Sequence, residues 1–248
     1  QDIIGLSGSA PLATETKEQF EEKSKGVSQG YGLSEMSPIT HFNVRGLQDM
    51  LLGEDTREGG FDQPTIGVPA PDTEVKLVDV DSGEEIPMQK AIDEELEGEM
   101  LLKGPQRMKG YLDDSKDPFD DEGFVATGDV AKVDSMGRFY IVDRVKNMIN
   151  VSGLKVYSEE VDEVLFSHEG IRRPATIGAP DPDRPGSEIV VIYVEPEPDY
   201  DLTEAEVREH LDGKVPRQAM PEQVHIVDQI PLTDVGKTDK QSLKERHD

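Results

Sequence analysis

The stretch TGDVAKVDSMGRFYIVDRVKNMINVSG, residues 127–153, decides how this chain is read. Its first half is a hairpin. Phe124-Val125-Ala126 leads into Thr127-Gly128-Asp129, Ser135-Met136-Gly137 supplies the turn, and Phe139-Tyr140-Ile141-Val142 returns as a β-prone strand. Asp129 is expected at the lip of the outgoing strand, where a carboxylate can accept two hydrogen bonds from a vicinal diol such as a ribose. Arg144, at the end of the returning strand, can donate to the same sugar and to a neighbouring phosphate. An ordinary surface Asp–Arg pair explains these two residues, taken alone, at least as well.

Working outward, the pattern changes after Lys146 to short alternating units. Lys155 to Tyr157 reads as a strand. Glu159 to Ser167 reads as a helix with Val161, Val164 and Leu165 on one face. Ala175 to Gly178 and Ile189 to Val194 are strands, Thr203-Glu204-Ala205-Glu206 is a capping box, and Val224 to Val227 is a last strand. This order predicts a small α+β domain of about 100 residues. Before the hairpin the chain reads as β: Glu74 to Val80 alternates strictly, Asp81-Ser82-Gly83 turns, and Glu99 to Lys103 is another strand. Nearer the start, Ile3 to Leu6 is strand-like and Ser7-Gly8-Ser9-Ala10-Pro11 is a small-residue loop. A helix capped by Thr14 or Thr16 is then expected to end at Gly26, and Gly53 to Gln63 reads as an exposed loop. The fold class is α+β, a β-rich portion followed by a small α+β domain. The candidate boundaries are 1–143, a connector at 144–147, and 148–248.

Composition narrows the chemistry. The chain has 248 residues and no cysteine, so disulfides and thiolate metal sites are excluded. The formal net charge is −27, with acidic residues scattered along the chain rather than gathered into a tail. Such a field repels nucleic acid and anionic membranes. The even spread favours a halophilic protein, whose carboxylates work in screening salt, over a single acidic interaction surface. No apolar run approaches a membrane span, and the chain is expected to be soluble and cytoplasmic.

Two further segments carry candidate chemistry. Gly30-Tyr31-Gly32-Leu33-Ser34-Glu35 reads as a glycine-flanked turn. In it Tyr31 could stack on a base, Ser34 could bond a phosphate and Glu35 could hold Mg²⁺. Near the end, Lys237 follows Gly236 in a loop beyond the last core strand, where a mobile lysine can reach a negatively charged transition state. Each also has a plain reading, a common glycine–aromatic turn and a solvated lysine.

Taken together and in order, these segments resemble the adenylate-forming superfamily, most closely its fatty acyl-CoA synthetases. The resemblance rests on Ser7 to Leu12, Gly30 to Glu35, Gly98 to Pro105 with Met108-Lys109-Gly110-Tyr111, Thr127-Gly128-Asp129, Asp143 to Ile149, Ser152-Gly153 and Pro231 to Lys237. It implies the C-terminal part of a large adenylation domain followed by a small lid domain. It implies that a carboxylate attacks the α-phosphate of ATP to give acyl-AMP, and that coenzyme A then displaces AMP. By the same resemblance Gly30, Tyr31 and Gly32 would contact the adenine of ATP or AMP, Ser34 the phosphate and Glu35 Mg²⁺. Asp129 and Arg144 would bind the ribose and phosphate, and Lys146 would be the hinge. Lys237 would stabilise the adenylation transition state, and Ser152, Gly153 and Leu154 would line the coenzyme A tunnel. Asn150 and Ser158 depart from residues common in relatives, and the loop from Val44 to Gln63 is longer than expected.

The family's Ser/Thr/Gly-rich phosphate loop has no match upstream of Gly30. The chain is therefore expected to be the C-terminal portion of a longer ligase and silent by itself, with exposed apolar surface favouring self-association. The alternatives are an adenylation domain of a peptide synthetase and a non-catalytic adenylate- or partner-binding module.

Overall fold

Strands built on two-residue alternation dominate the computed structural model, which describes residues 4–8, 26–43, 65–112, 117–234 and 236–247. The chain divides into two units, 1–145 and 146–248. The helix expected between Thr14 and Gly26, the segment Ser9 to Leu12 and the loop at 44–63 lie outside the described residues.

The first unit holds two sheets. Strands β1 (Ile4–Ser7), β2 (Gly26–Gly32), β3 (Ile39–Phe42) and β4 (Val68–Pro69) form one, in that order, with β1 and β2 parallel and the rest antiparallel. The second is antiparallel in the order β6-β5-β7-β8-β9. It comprises β5 (Glu74–Val78), β6 (Glu85–Ile86), β7 (Gly98–Lys103), β8 (Val125–Val133) and β9 (Phe139–Arg144). Along β7 every second residue turns inward, so Met100 and Leu102 join Leu77, Val125, Ala131 and Phe139 in one core. Met36, on the 3-10 turn after β2, and Ile66, just before β4, complete that core. The two sheets are stitched by backbone: Ile66 N–H donates to the Phe139 carbonyl (3.0 Å) and Phe139 N–H to the Gly67 carbonyl (2.8 Å). A short helix, α1 (Met88–Asp93), buries Ala91 against this core and was not anticipated from the sequence.

Gly26 opens β2, paired with Ile4, and the helix expected before it lies outside the described residues. One expectation is corrected here. Gly30 to Gly32 is not a turn but the last part of β2, and the chain reverses only after it, through the 3-10 turn Ser34–Met36. The glycine at 32 serves close approach, since a Cβ there would sit 1.7 Å from the Pro38 carbonyl oxygen.

In the second unit, β10 (Ile149–Val151) and β11 (Leu154–Val156) form a tight hairpin. Strands β12 (Ile171–Pro180), β13 (Glu188–Pro196) and β14 (Gln223–Ile226) form a sheet in that order, β14 parallel to β13. Three helices accompany them: α2 (Ser158–Phe166), α3 (Glu204–Leu211) and α4 (Lys240–Lys244). The near-continuous apolar run of β13 is explained by burial on both faces. Val190, Ile192 and Val194 pack with Val161, Leu165, Val207 and Leu211, whereas Val191 and Tyr193 pack with Ile177, Ile230 and Leu243. The capping box of α3 forms in full, Thr203 accepting from Glu206 N–H and the Glu206 carboxylate accepting from Thr203 N–H.

Candidate functional site

The site in the first unit is built on an irregularity in β8. Between the pairs Leu101↔Ala126 and Glu99↔Val130 the register shifts, so that Thr127-Gly128-Asp129 oppose the single residue Met100. The bulge is locked from within. Thr127 Oγ1 donates to the Met100 carbonyl (2.7 Å) and accepts from Asp129 N–H (3.1 Å), while Gly128 N–H donates to Glu99 Oε1 (3.1 Å). Gly128 takes φ 69°, in the left-handed region that favours glycine. Asp129 therefore lies on a bulge within a nine-residue strand, not at the strand's end.

The register then sets Asp129 opposite Arg144 on β9. Arg144 Nε donates to Asp129 Oδ1 (2.8 Å) and Nη2 to the Thr127 carbonyl (3.4 Å). The other carboxylate oxygen accepts from the Tyr31 hydroxyl at 2.6 Å. Burial first, and then the Asp129 charge, push the Tyr31 hydroxyl well above its ordinary range, so it stays a proton donor. Half of the Arg144 side chain is exposed while Asp129 is largely covered, 49% against 13%. This three-membered row joins β2, β8 and β9, and each oxygen of Asp129 retains a further lone pair for a ligand.

Ser34 and Glu35 lie on the 3-10 turn anchored by buried Met36. Ser34 is exposed. Glu35 accepts a short hydrogen bond from the Tyr111 hydroxyl, and its carbonyl accepts from Met108 N–H (2.7 Å). The sequence reading had given the Met108–Tyr111 motif no role; the structure sets it beside Glu35. No group of three or more His, Asp or Glu side chains able to hold a metal occurs among the described residues. Glu35 is thus a lone carboxylate there, with no second acidic group beside it in such a cluster among the described residues. That donor set suits Mg²⁺, which completes its shell with phosphate oxygens and water rather than a protein cage.

His41 was missed by sequence reasoning. It is fully buried on β3 opposite Tyr31, ring against ring at 5.8 Å and against Phe139 at 5.1 Å. Its Nδ1 meets Thr40 Oγ1 at 3.1 Å, and Nε2 has no partner among the described residues. Burial pushes the imidazole down from 6.5 to about 3. The unfolded chain therefore takes up a proton below pH 6.5 that the folded chain refuses until about pH 3. Stability from this group is complete above pH 6.5 and falls as pH drops through that window, by about 1.4 kcal/mol per pH unit. Urea unfolding at pH 7 and pH 5 should show His41→Phe escaping about 2 kcal/mol of acid destabilisation relative to the parent chain. Equal pH slopes in the two proteins would contradict this.

The remaining candidates belong to the second unit. Lys146 lies in the 3-10 turn Val145–Asn147, and its carbonyl accepts from Lys244 Nζ of α4 (2.9 Å). Ser152 and Gly153 are the two turn residues between β10 and β11, both left-handed at φ 53° and 85°. Ser152 N–H donates to Ser187 Oγ (2.9 Å), Arg184 Nη1 donates to Ser152 Oγ (2.8 Å), and Leu154 is exposed. Lys237 is exposed on the loop between β14 and α4, its N–H donating to Thr233 Oγ1 at 3.1 Å.

Comparison with known proteins gives these positions a context. A family profile described as "AMP-binding enzyme" matches residues 3–112, and one described as "AMP-binding enzyme C-terminal domain" matches residues 160–237. A long-chain-fatty-acid–CoA ligase of Salmonella typhimurium is 33% identical over 247 residues, which are 98% of this chain and 40% of that protein. A 4-coumarate–CoA ligase-like 4 of Oryza sativa subsp. japonica is 33% identical over 96% of this chain and 41% of its own length. Among solved structures, ATP-bound MatB from Rhodopseudomonas palustris superposes with a TM-score of 0.79 at 28% identity, over 97% of this chain and 44% of that one. Amide bond synthetase McbA from Marinactinospora thermotolerans gives 0.77 at 27% identity, over 97% and 46%. The chain thus spans about 40% of the length of the curated relatives it matches.

Proposed function

Since this chain belongs to the AMP-binding enzymes, we propose that it is the C-terminal portion of an AMP-forming ligase that joins a fatty acid to coenzyme A. The observation that carries the reading is the row Tyr31–Asp129–Arg144, a carboxylate held by a phenol and a guanidinium in a bulge shaped for it. On this reading Asp129 accepts from both ribose hydroxyls, Arg144 donates to ribose and phosphate, and Gly30 to Gly32 with Tyr31 face the adenine. Ser34 bonds a phosphate oxygen. Glu35 would hold Mg²⁺, which supplies charge neutralisation at the phosphates when bound.

The substrate carboxylate oxygen forms a bond to the α-phosphorus as the bond to pyrophosphate breaks, and Lys237 offsets the negative charge that develops. In the second step the coenzyme A sulfur attacks the acyl carbonyl, AMP leaves with the bonding electrons, and the thiol proton goes to solvent. The turn at Ser152, Gly153 and Leu154 lines the thiol's approach. Lys146 is the hinge about which the small domain turns between the steps.

ATP–pyrophosphate exchange by the ligase containing this chain tests the reading. Exchange that depends on added fatty acids is expected, and the 248-residue chain by itself should be silent. Exchange supported by amino acids instead would assign the chain to a peptide synthetase. No exchange with any carboxylate would overturn the proposal.

A further inference from the structure

The loop that carries Lys237 is anchored at both ends by buried ionic groups that no step of the proposed reaction uses. On the entry side, Glu195 of β13 is almost wholly buried, 4% exposed, between Arg172 (3.2 Å) and Arg173 (3.0 Å). Its Oε2 also accepts the backbone N–H of Ile230 at 3.0 Å. Ile230 is itself fully buried, so the chain enters the loop from a fixed point.

On the exit side, Lys240 opens α4 with 8% of its side chain exposed. Its ammonium donates to Ser158 Oγ (2.8 Å), Glu159 Oε1 (3.0 Å) and Asp162 Oδ2 (2.7 Å), all on α2. Asp162 in turn accepts Thr176 N–H (2.7 Å) from β12. Burial raises the Asp162 carboxyl above its ordinary range while Lys240 pulls it back, so the lysine is what makes a charged carboxylate tolerable there. Asp239 caps the same helix through Ser242 N–H (3.1 Å).

Between these points the loop closes on itself. Leu232 bridges Thr238, Asp239 N–H reaches the Pro231 carbonyl (2.9 Å), and Thr233 N–H reaches the Lys237 carbonyl (2.7 Å). Gly236 takes φ 81°, in the left-handed region that favours glycine, and Lys237 beside it is exposed.

We propose that Glu195 and Lys240 are positioning residues for Lys237, two buried clamps that hold the ends of its loop so that the amine is presented in one place. The proposal rests on the reading of Lys237 as the adenylation lysine. The physical reason is that a charged donor acts on a transition state only if held close to its productive position, and displacement by about 1 Å can cost about 100-fold. A loop closed only at its surface would let the amine wander. Two buried ion clusters, each joining different elements of one unit, remove that freedom without touching substrate.

The test separates the half-reactions in the ligase containing this chain. Lys240→Met and Glu195→Gln should each slow acyl-adenylate formation at least about 10-fold. Both should leave thioester formation from supplied acyl-adenylate within about twofold, and Lys240→Arg should restore most of the loss. In the 248-residue chain, amide exchange at Gly236 and Lys237 should quicken in Lys240→Met while β12 and β13 keep their protection. Equal losses in both half-reactions, or accelerated exchange throughout the unit, would reduce the clamps to fold stability and overturn the proposal. Normal adenylation by both variants would overturn it also. If Lys237→Ala adenylates normally, the reading beneath the proposal fails instead; impaired Lys237→Ala beside unimpaired clamp variants sinks the clamps alone.

Discussion

Lys237→Ala is expected to slow acyl-adenylate formation by about 10²–10³-fold, the cost of removing one preorganised donor from a developing anion. The same variant should convert supplied acyl-adenylate to thioester at close to the parent rate, because in the proposed reaction that lysine acts only in the first step. Lys237 is suited to such a split: it is exposed, on a loop closed by Gly236 and Thr233, and outside the core of its unit. Stability should hardly change, since an exposed loop lysine contributes little to folding. Single-turnover measurements of the two steps decide the matter. Equal rates of adenylation in parent and variant would remove Lys237 from the chemistry.

Asp129→Ala should weaken AMP binding by about 100-fold, read by calorimetry on the chain itself. Two hydrogen bonds from ribose to a carboxylate contribute about 1.5–3 kcal/mol each, and an incomplete site recovers only part of that. The variant also deprives the Tyr31 hydroxyl and Arg144 Nε of their acceptor, so the walls of the site lose register with each other. Asp129→Asn keeps one acceptor oxygen and should lose less. An unchanged AMP affinity in Asp129→Ala would show that the Tyr31–Asp129–Arg144 row is a fold feature with no nucleotide on it.

Much of the hairpin around this site was legible in the chain. Turn residues Ser135 to Gly137 and the β-prone run from Phe139 imply that the strands pair, and pairing brings Asp129 and Arg144 opposite each other. What local pattern could not show was the bulge, because it depends on Met100 offering one carbonyl to Thr127 from another strand. Nor could it show the hydroxyl of Tyr31 on Asp129, from a residue 98 positions away. Gly30 to Gly32 were read as a turn because glycines punctuate loops; the partner strand turned them into a bulged strand instead. Nothing in the local sequence marks Lys240 and Glu195 as buried, because burial of a charge depends on partners from α2 and β12 that only folding supplies.

The sequence by itself determined most of the order of strands and helices after Lys146, the hairpin that carries Asp129 and Arg144, the capping box of α3, and the family, through motifs in a set order. These follow from short-range rules, alternation, capping and turn chemistry, which act over a few residues. Only the tertiary structure decided which side chains meet: Tyr31 with Asp129, Tyr111 with Glu35, His41 sealed behind the site, and the two clamps around the Lys237 loop. Those meetings depend on strand register and on desolvation, which no local stretch of chain encodes.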